Sequence, residues 1–216
     1  MPRLRSILNL TVFVAALGYF VDMFDLLLFP IVRQPSLATL GVPPGAAQLT
    51  VGAFLLNAQM VGMLLGGIFW GVLGDRKGRL STLFGSIALY SVANIANAFV
   101  TGIPAYALWR FLAGVGLAGE LGAAVTLVSE ILPKELRGYG VAVVAAVGLF
   151  GTVTAALVGR YLSWQHAYLL GGGLGVLLLF LRLGIRESLM FQKGEAAASS
   201  ALKRGDFFSL FTSWNR

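Results

Sequence analysis

The sequence predicts an all-α membrane protein of six transmembrane helices with both termini on the cytoplasmic side. Three observations carry this. Apolar residues fill 57% of the 216 positions and charged residues only 12%, about half the charged share of a soluble domain. The apolar residues gather into six runs, each near the roughly 20 residues that a helix needs to cross the hydrocarbon layer. The basic residues collect beside alternate ends of those runs. Lipid offers no hydrogen bonds to a backbone, so runs of this kind are helices rather than isolated strands.

Taken in order, the first span is Leu8–Val32. It is too long for a signal-peptide core, holds two acids and lacks a small-residue cleavage site, so it stays in the protein. The second, Ala47–Leu73, contains Gly62-x-x-x-Gly66 and Gly67-x-x-x-Gly71. Small residues of this kind let backbones approach closely where lipid gives helices no hydrophobic drive to associate. The third, Leu80–Val100, carries Asn94 and Asn97; the fourth, Pro104–Leu132, carries Gly114, Gly116, Gly119 and Gly122. The fifth is Tyr139–Leu162, with Thr152 and Thr154, and the sixth is Ala167–Ile185. Residues 1–185 therefore form one six-helix bundle. Residues 186–216 turn polar and then aromatic, as a cytoplasmic tail or a linker to a second half.

Orientation follows from the basic residues. Arg3 and Arg5 precede the first span, Arg76, Lys77 and Arg79 follow the second, and Lys134 and Arg137 follow the fourth. Arg182, Arg186, Lys193, Lys203, Arg204 and Arg216 lie at or beyond the end of the sixth, which places thirteen of the sixteen basic residues on one side. Arg33 and Arg160 lie opposite, and Arg110 falls within span four. Topology and anionic headgroups account for the net charge of +7, and scattered basic residues make no nucleic-acid stripe. With no cysteine and one histidine, His166, no thiolate or imidazole metal site and no Ser-His-Asp relay can be assembled. Neither an enzyme nor a bound metal or cofactor is expected.

Four ionisable residues fall inside spans: Asp22, Asp25, Arg110 and Glu120. Each would cost at least ~2.5–3.5 kcal/mol at the membrane centre, so each should face a partner or a wet cavity. At 1.5 Å per residue, Asp22 lies roughly 21 Å and Asp25 roughly 25 Å from the inner face, and Arg110 about 9 Å below the outer face. Asp25 and Arg110 therefore sit at similar height, and an ion pair between them is expected. Loss of water favours the neutral form of a carboxyl group, and a nearby guanidinium favours the ionised one. A contact made in one state and broken in another would load and unload a proton. The alternatives are a fixed pair that only locks two helices, with Asp22 as a water-lined neighbour. Glu120 is about 15 Å further inward than Arg110 and roughly 80° round the helix, so it needs a different partner. Tyr19, Asn57 and Gln59 are candidate solute-lining residues, although Asn57 and Gln59 are ~200° apart on their helix. Asn94, Asn97, Thr152 and Thr154 suit bonds between helices better than ligand contacts.

Residues 71–79 read Gly71-Val72-Leu73-Gly74-Asp75-Arg76-Lys77-Gly78-Arg79. This resembles the G-x-x-x-D-R-x-G-R signature of the major facilitator superfamily. Span one reads Ala16-Leu17-Gly18-x-x-x-Asp22-Met23-Phe24-Asp25, and span four reads Arg110-x-x-x-Gly114 through Gly119-Glu120, closing with Glu130-x-x-Pro133 and Arg137-Gly138. With Arg186-Glu187-Ser188-x-Met190-Phe191, these resemble the metabolite:H⁺ symporter branch. Met23 stands where that branch usually has Trp, Ala118 where it has glycine and Leu189 where it has Pro. Span five has no proline, so it lacks the Gly-Pro motif of drug antiporters, which favours uptake.

The resemblance implies one half of a twelve-helix carrier, built as 3+3 inverted repeats. It implies proton-coupled symport of a small polar metabolite (an organic acid, sugar or zwitterion) across a bacterial-type inner membrane. Asp25 would carry the proton against Arg110. Gly71, Asp75, Arg76, Gly78 and Arg79 would meet Glu130 and Arg137 as a cytoplasmic gate. Partners would be the lipid bilayer, the solute and H⁺, and a second six-helix half, either in the same longer chain or as a second copy. The competing reading is a membrane scaffold, an interaction subunit or an inactive fragment.

Overall fold

The computed structural model describes residues 10–77 and 79–182. It contains six α-helices: α1 (Leu10–Thr39), α2 (Ala46–Lys77), α3 (Arg79–Asn97), α4 (Ile103–Ile131), α5 (Arg137–Tyr161) and α6 (Trp164–Arg182). A 3₁₀ turn, Lys134–Leu136, follows Pro133 between α4 and α5. Each expected span has its helix. Four of them, α1 from Val12, α2, α5 and α6, are long and apolar enough to cross a membrane. The other two carry polar groups within their apolar runs. α3 buries Ser86, Ser91, Asn94 and Asn97, and α4 carries Arg110 and Glu120. Residues 186–216, the expected tail or linker, lie outside the described residues.

Several boundaries move. α1 continues past Val32 through Pro30 and Pro35 to Thr39. The Ser36 and Thr39 hydroxyls donate to the carbonyls of Arg33 and Pro35 on the way (3.0 and 2.8 Å). It stops where Gly41 takes φ 78° and its N–H bonds back to Ala38 O, a left-handed residue just past a helix end. α2 runs through the signature to Lys77, so Asp75, Arg76 and Lys77 form a last helical turn rather than the expected loop. Positive charge there complements the helix dipole. α6 begins at Trp164 because Ser163 precedes it as a cap, its Oγ lying 3.5 Å from the His166 backbone nitrogen.

α1 lies along α5 and α2 along α4, while α3 packs against both α4 and α6. Both long pairs run parallel. Toward the carboxyl end of α2, Gly62 meets the Phe111 backbone and Gly66 the Val115 backbone. Along α5, Gly148 meets Tyr19, Gly151 meets Phe20 and Gly159 meets Ile31.

The distribution of side chains is inverted relative to a soluble bundle. Leu64, Leu65 and Phe69 on α2, Leu149, Phe150 and Leu157 on α5, and Leu177 and Phe180 on α6 are exposed. Asp22 and Glu120 are 0% exposed, Arg110 1% and Arg182 3%. An apolar exterior around ionisable residues fits lipid as the outer solvent.

Candidate functional site

α1 is the axis of the polar interior, and two clusters meet it at different depths. The inner one, nearer the amino-terminal end of α1, begins at Gly18. A Cβ there would collide with the Arg182 guanidinium and the Glu120 carboxylate, so the bare backbone is what admits both groups. Arg182 Nη2 lies 2.5 Å from Glu120 Oε1, and the two side chains are 4% and 0% exposed. Glu120 thus has the partner that its position required. That partner corrects the sequence reading, which counted Arg182 among the headgroup-facing charges. A span-end arginine normally reaches for the interface, but this one folds back onto α4. Removing it leaves twelve basic residues against two in the orientation count.

Asp22 sits one turn further along α1 from Gly18 and faces the same pair, so that Glu120 and Arg182 both act on it electrostatically. Neither of its oxygens has a hydrogen-bond partner. Tyr90 on α3 lies in the field of Asp22, Asp25, Glu120 and Arg182. Sequence reasoning missed both Tyr90 and Arg182. The signal for Arg182 was the unmet demand of Glu120 for a counter-charge.

The outer cluster holds Asp25 and Arg110, but not as the expected direct pair. No ion pair within 4 Å joins them among the described residues, and both Asp25 oxygens lack hydrogen-bond partners. Arg110 Nη2 donates to Gln59 Oε1 on α2, and its guanidinium lies over the Phe29 ring, 4.7 Å from the centroid. Depth arithmetic could not see Phe29, one turn beyond Asp25 on the same helix. Its ring and the Gln59 amide take the guanidinium, which still acts on Asp25 through space. Gly171 makes room for the Asp25 carboxylate, and Asn94 on α3 is its polar neighbour. Further outward, Tyr106 and Tyr168 share a 2.7 Å hydroxyl contact, and Tyr106 donates to Ser36 Oγ at 3.3 Å. Tyr106→Phe should leave the buried Tyr168 hydroxyl short of a partner and cost about 1 kcal/mol. Thermal unfolding of Tyr106→Phe, Tyr168→Phe and the double variant should show clear non-additivity.

The other expected residues lie elsewhere. Tyr19 is half-buried, with its ring against Gly148 of α5, so it is not in the carboxylate cluster. Gln59 points inward at 1% exposure, whereas Asn57 is exposed on the other face of α2. Of the expected cytoplasmic group, Gly71, Asp75 and Arg76 are all exposed on the carboxyl-terminal part of α2. Arg137 Nε donates to Leu132 O at 3.2 Å. Gly78 and the side chains of Arg79 and Glu130 lie outside the described residues.

This arrangement buries charge inside the helix bundle; among the described residues no three His, Cys, Asp or Glu side chains converge to hold a metal. A family model described as Major Facilitator Superfamily matches residues 8–214. The chain is 29% identical over 182 residues to the niacin transporter NiaP of Acinetobacter baylyi, covering 82% of this chain and 40% of that protein. It is 30% identical over 154 residues to the 3-(3-hydroxy-phenyl)propionate transporter of Escherichia coli, covering 69% and 38%. The proton:xylose symporter XylE, solved with 6-bromo-6-deoxy-D-glucose, superposes with a TM-score of 0.75 at 19% identity, over 88% of this chain and 47% of that one. The chain thus spans about 40% of the length of those two curated relatives. All three are named as transporters rather than enzymes.

Proposed function

The chain belongs to the major facilitator superfamily, and from that premise we propose that it is the amino-terminal six-helix half of a proton-coupled carrier for a small polar metabolite. The observation that carries this reading is the burial of three carboxylates and two guanidiniums within a bundle whose exterior is apolar. Such groups are expensive in a membrane and are kept where they move ions or solutes. Alternating access uses them as contacts made in one state and exchanged in the other.

The 3+3 inverted repeat belongs to the same proposal. Exchanging α1–α3 with α4–α6 carries the α1–α5 pairing onto α4–α2, and both pairings are prominent in the bundle. The glycine contacts obey the same exchange: Gly151 approaches the Phe20 carbonyl with the geometry by which Gly62 approaches that of Phe111. The proposed orientation puts both termini in the cytoplasm of a bacterial-type cell. Asp75, Arg76 and Arg79 then form the inner gate with Glu130 and Arg137, and a second six-helix half completes the cavity, with Asn57 on the side open to it.

A carboxylate-bearing solute is the favoured class. Arg110 Nε is a buried donor without an acceptor, and two matched relatives are named for carrying acids. The test is uptake into proteoliposomes under an imposed pH gradient, with niacin, 3-(3-hydroxyphenyl)propionate and xylose as first solutes. Gradient-driven accumulation is expected for the wild type and a fall to background for Asp25→Asn. Undiminished gradient-driven uptake by that variant would remove Asp25 from the mechanism.

A further inference from the structure

Of the nine acids in the chain, none falls in residues 26–74, 76–119 or 136–186. The end of the bundle that carries the α1–α2, α3–α4 and α5–α6 connections therefore holds Arg33 and Arg160 and no carboxylate. The two arginines are placed differently. Arg160 is exposed on α5 and lies over the ring of its neighbour Tyr161, 5.8 Å from the centroid. Arg33 is half-buried and its stem lies flat on α2 at Gly52, where an added Cβ would overlap its Cδ and stand 3.2 Å from its Cγ and Nε. The bare backbone of Gly52 thus admits this cation to the seam between α1 and α2.

Arg110 stands deeper, in line with it. Gln59, whose amide oxygen takes Arg110 Nη2, is seven residues beyond Gly52. The two positions lie within about 20° of one another round α2 and about 10 Å apart along it. On α1, Phe29 joins the two levels: it is one turn from Arg33, and its ring lies under the Arg110 guanidinium. Neither guanidinium is in an ion pair among the described residues, and Arg110 Nε has no acceptor. Asp25, the nearest acid along α1, is eight residues deeper than Arg33, about 12 Å.

The geometry points to the α1–α2 seam as the entry route for an anionic solute, with Arg33 as its first contact and Arg110 as its second. A carboxylate reaching this end meets cations only, and a cleft lined by one sign of charge raises the local concentration of the opposite ion. At Arg33 it meets a cation still half in water. At Arg110 it meets an unpaired N–H in a dry setting, where a charge-assisted hydrogen bond is strong. Leu55 and Leu56 on α2 and Phe29 on α1 supply apolar walls, which suit a small acid with a ring or chain behind its carboxylate. Arg33 is then a specificity-determining residue. This deepens the proposed preference for carboxylate-bearing solutes and rests on it for a role in transport, whereas the charge selectivity of the seam is measurable without transport.

The chain has no cysteine, so one placed at Leu56, between the levels of Gly52 and Gln59, reports on the seam alone. The experiment compares its modification in proteoliposomes by sulfonatoethyl methanethiosulfonate, an anion, and by trimethylammonium-ethyl methanethiosulfonate, a cation. With each rate divided by that for a free thiol, the anion is expected to be favoured several-fold. Arg33→Gln should abolish that preference, and Arg33→Lys and Arg160→Gln should keep it. Salt at about 1 M, with a screening length of about 3 Å, should weaken it. In exchange assays without a pH gradient, Arg33→Gln should raise the KM for niacin several-fold. Its maximal rate, and any exchange of the uncharged amide nicotinamide, should not change. An unreactive Leu56→Cys, a preference that survives Arg33→Gln, or one lost equally in Arg160→Gln overturns the inference. Gradient-driven niacin uptake beside an unselective seam sinks this inference alone, and a selective seam beside gradient-independent uptake sinks the proton coupling alone.

Discussion

Valine at Gly151 should prevent the bundle from assembling. A Cβ at this position would overlap the Phe20 carbonyl oxygen, with the Phe20 carbonyl carbon at 3.0 Å and its Cα at 3.2 Å. These are backbone atoms of a neighbouring helix, so no rotamer change relieves the overlap, and α1 and α5 must move apart along their length. Overpacking costs about 1–3 kcal/mol where side chains can adjust; here the whole helix interface is forfeited. Gly62→Val should behave alike, because its Cβ would strike the Phe111 carbonyl. Gly67, in the same run of glycines, has open space where a Cβ would stand, with nothing within 4 Å, and Gly67→Val should fold as the wild type does. Size-exclusion profiles and melting curves in detergent separate these outcomes. A wild-type melting point for Gly151→Val would show that the α1–α5 approach is not as close as described.

That contrast also marks how far the sequence could be read. Composition and run length revealed six helices because lipid forces an apolar, internally bonded segment of fixed length. The ends were harder to place. Nothing in hydropathy says that α1 persists beyond Pro35 or that α2 carries the Asp75–Lys77 turn as helix, since local hydrogen bonds decide both. Glycine spacing indicated close packing but not which glycines face a partner, and Gly62 and Gly67 look alike in the chain.

The interior was legible as chemistry and only partly as geometry. A charge inside an apolar run is conspicuous, so Asp22, Asp25, Arg110 and Glu120 stood out. Their partners depend on side-chain reach across helices, which spacing along one helix cannot give. Phe29 and Gln59 took the guanidinium expected for Asp25. Arg182, at a span end, had the appearance of a topological charge until α6 was seen to bring it to Glu120.

Arg182→Ala is accordingly expected to be among the most damaging single substitutions outside the glycine contacts. It deletes the partner of a carboxylate that is fully buried, and breaking a buried pair from one side costs about 3–5 kcal/mol, because the remaining charge has neither water nor counter-ion. Replacing both members with neutral groups of similar size removes that penalty, so Arg182→Met combined with Glu120→Gln should recover most of the lost stability. Acidification should also narrow the gap between Arg182→Ala and the wild type, since a protonated Glu120 no longer needs the guanidinium. Thermal melting of the two singles and the double, at neutral and acidic pH, checks each step. If Arg182→Ala melts with the wild type at neutral pH, the ion pair does not hold α6 to α4. If instead the double variant is as unstable as the single, the loss comes from packing around the arginine stem rather than from an orphaned charge.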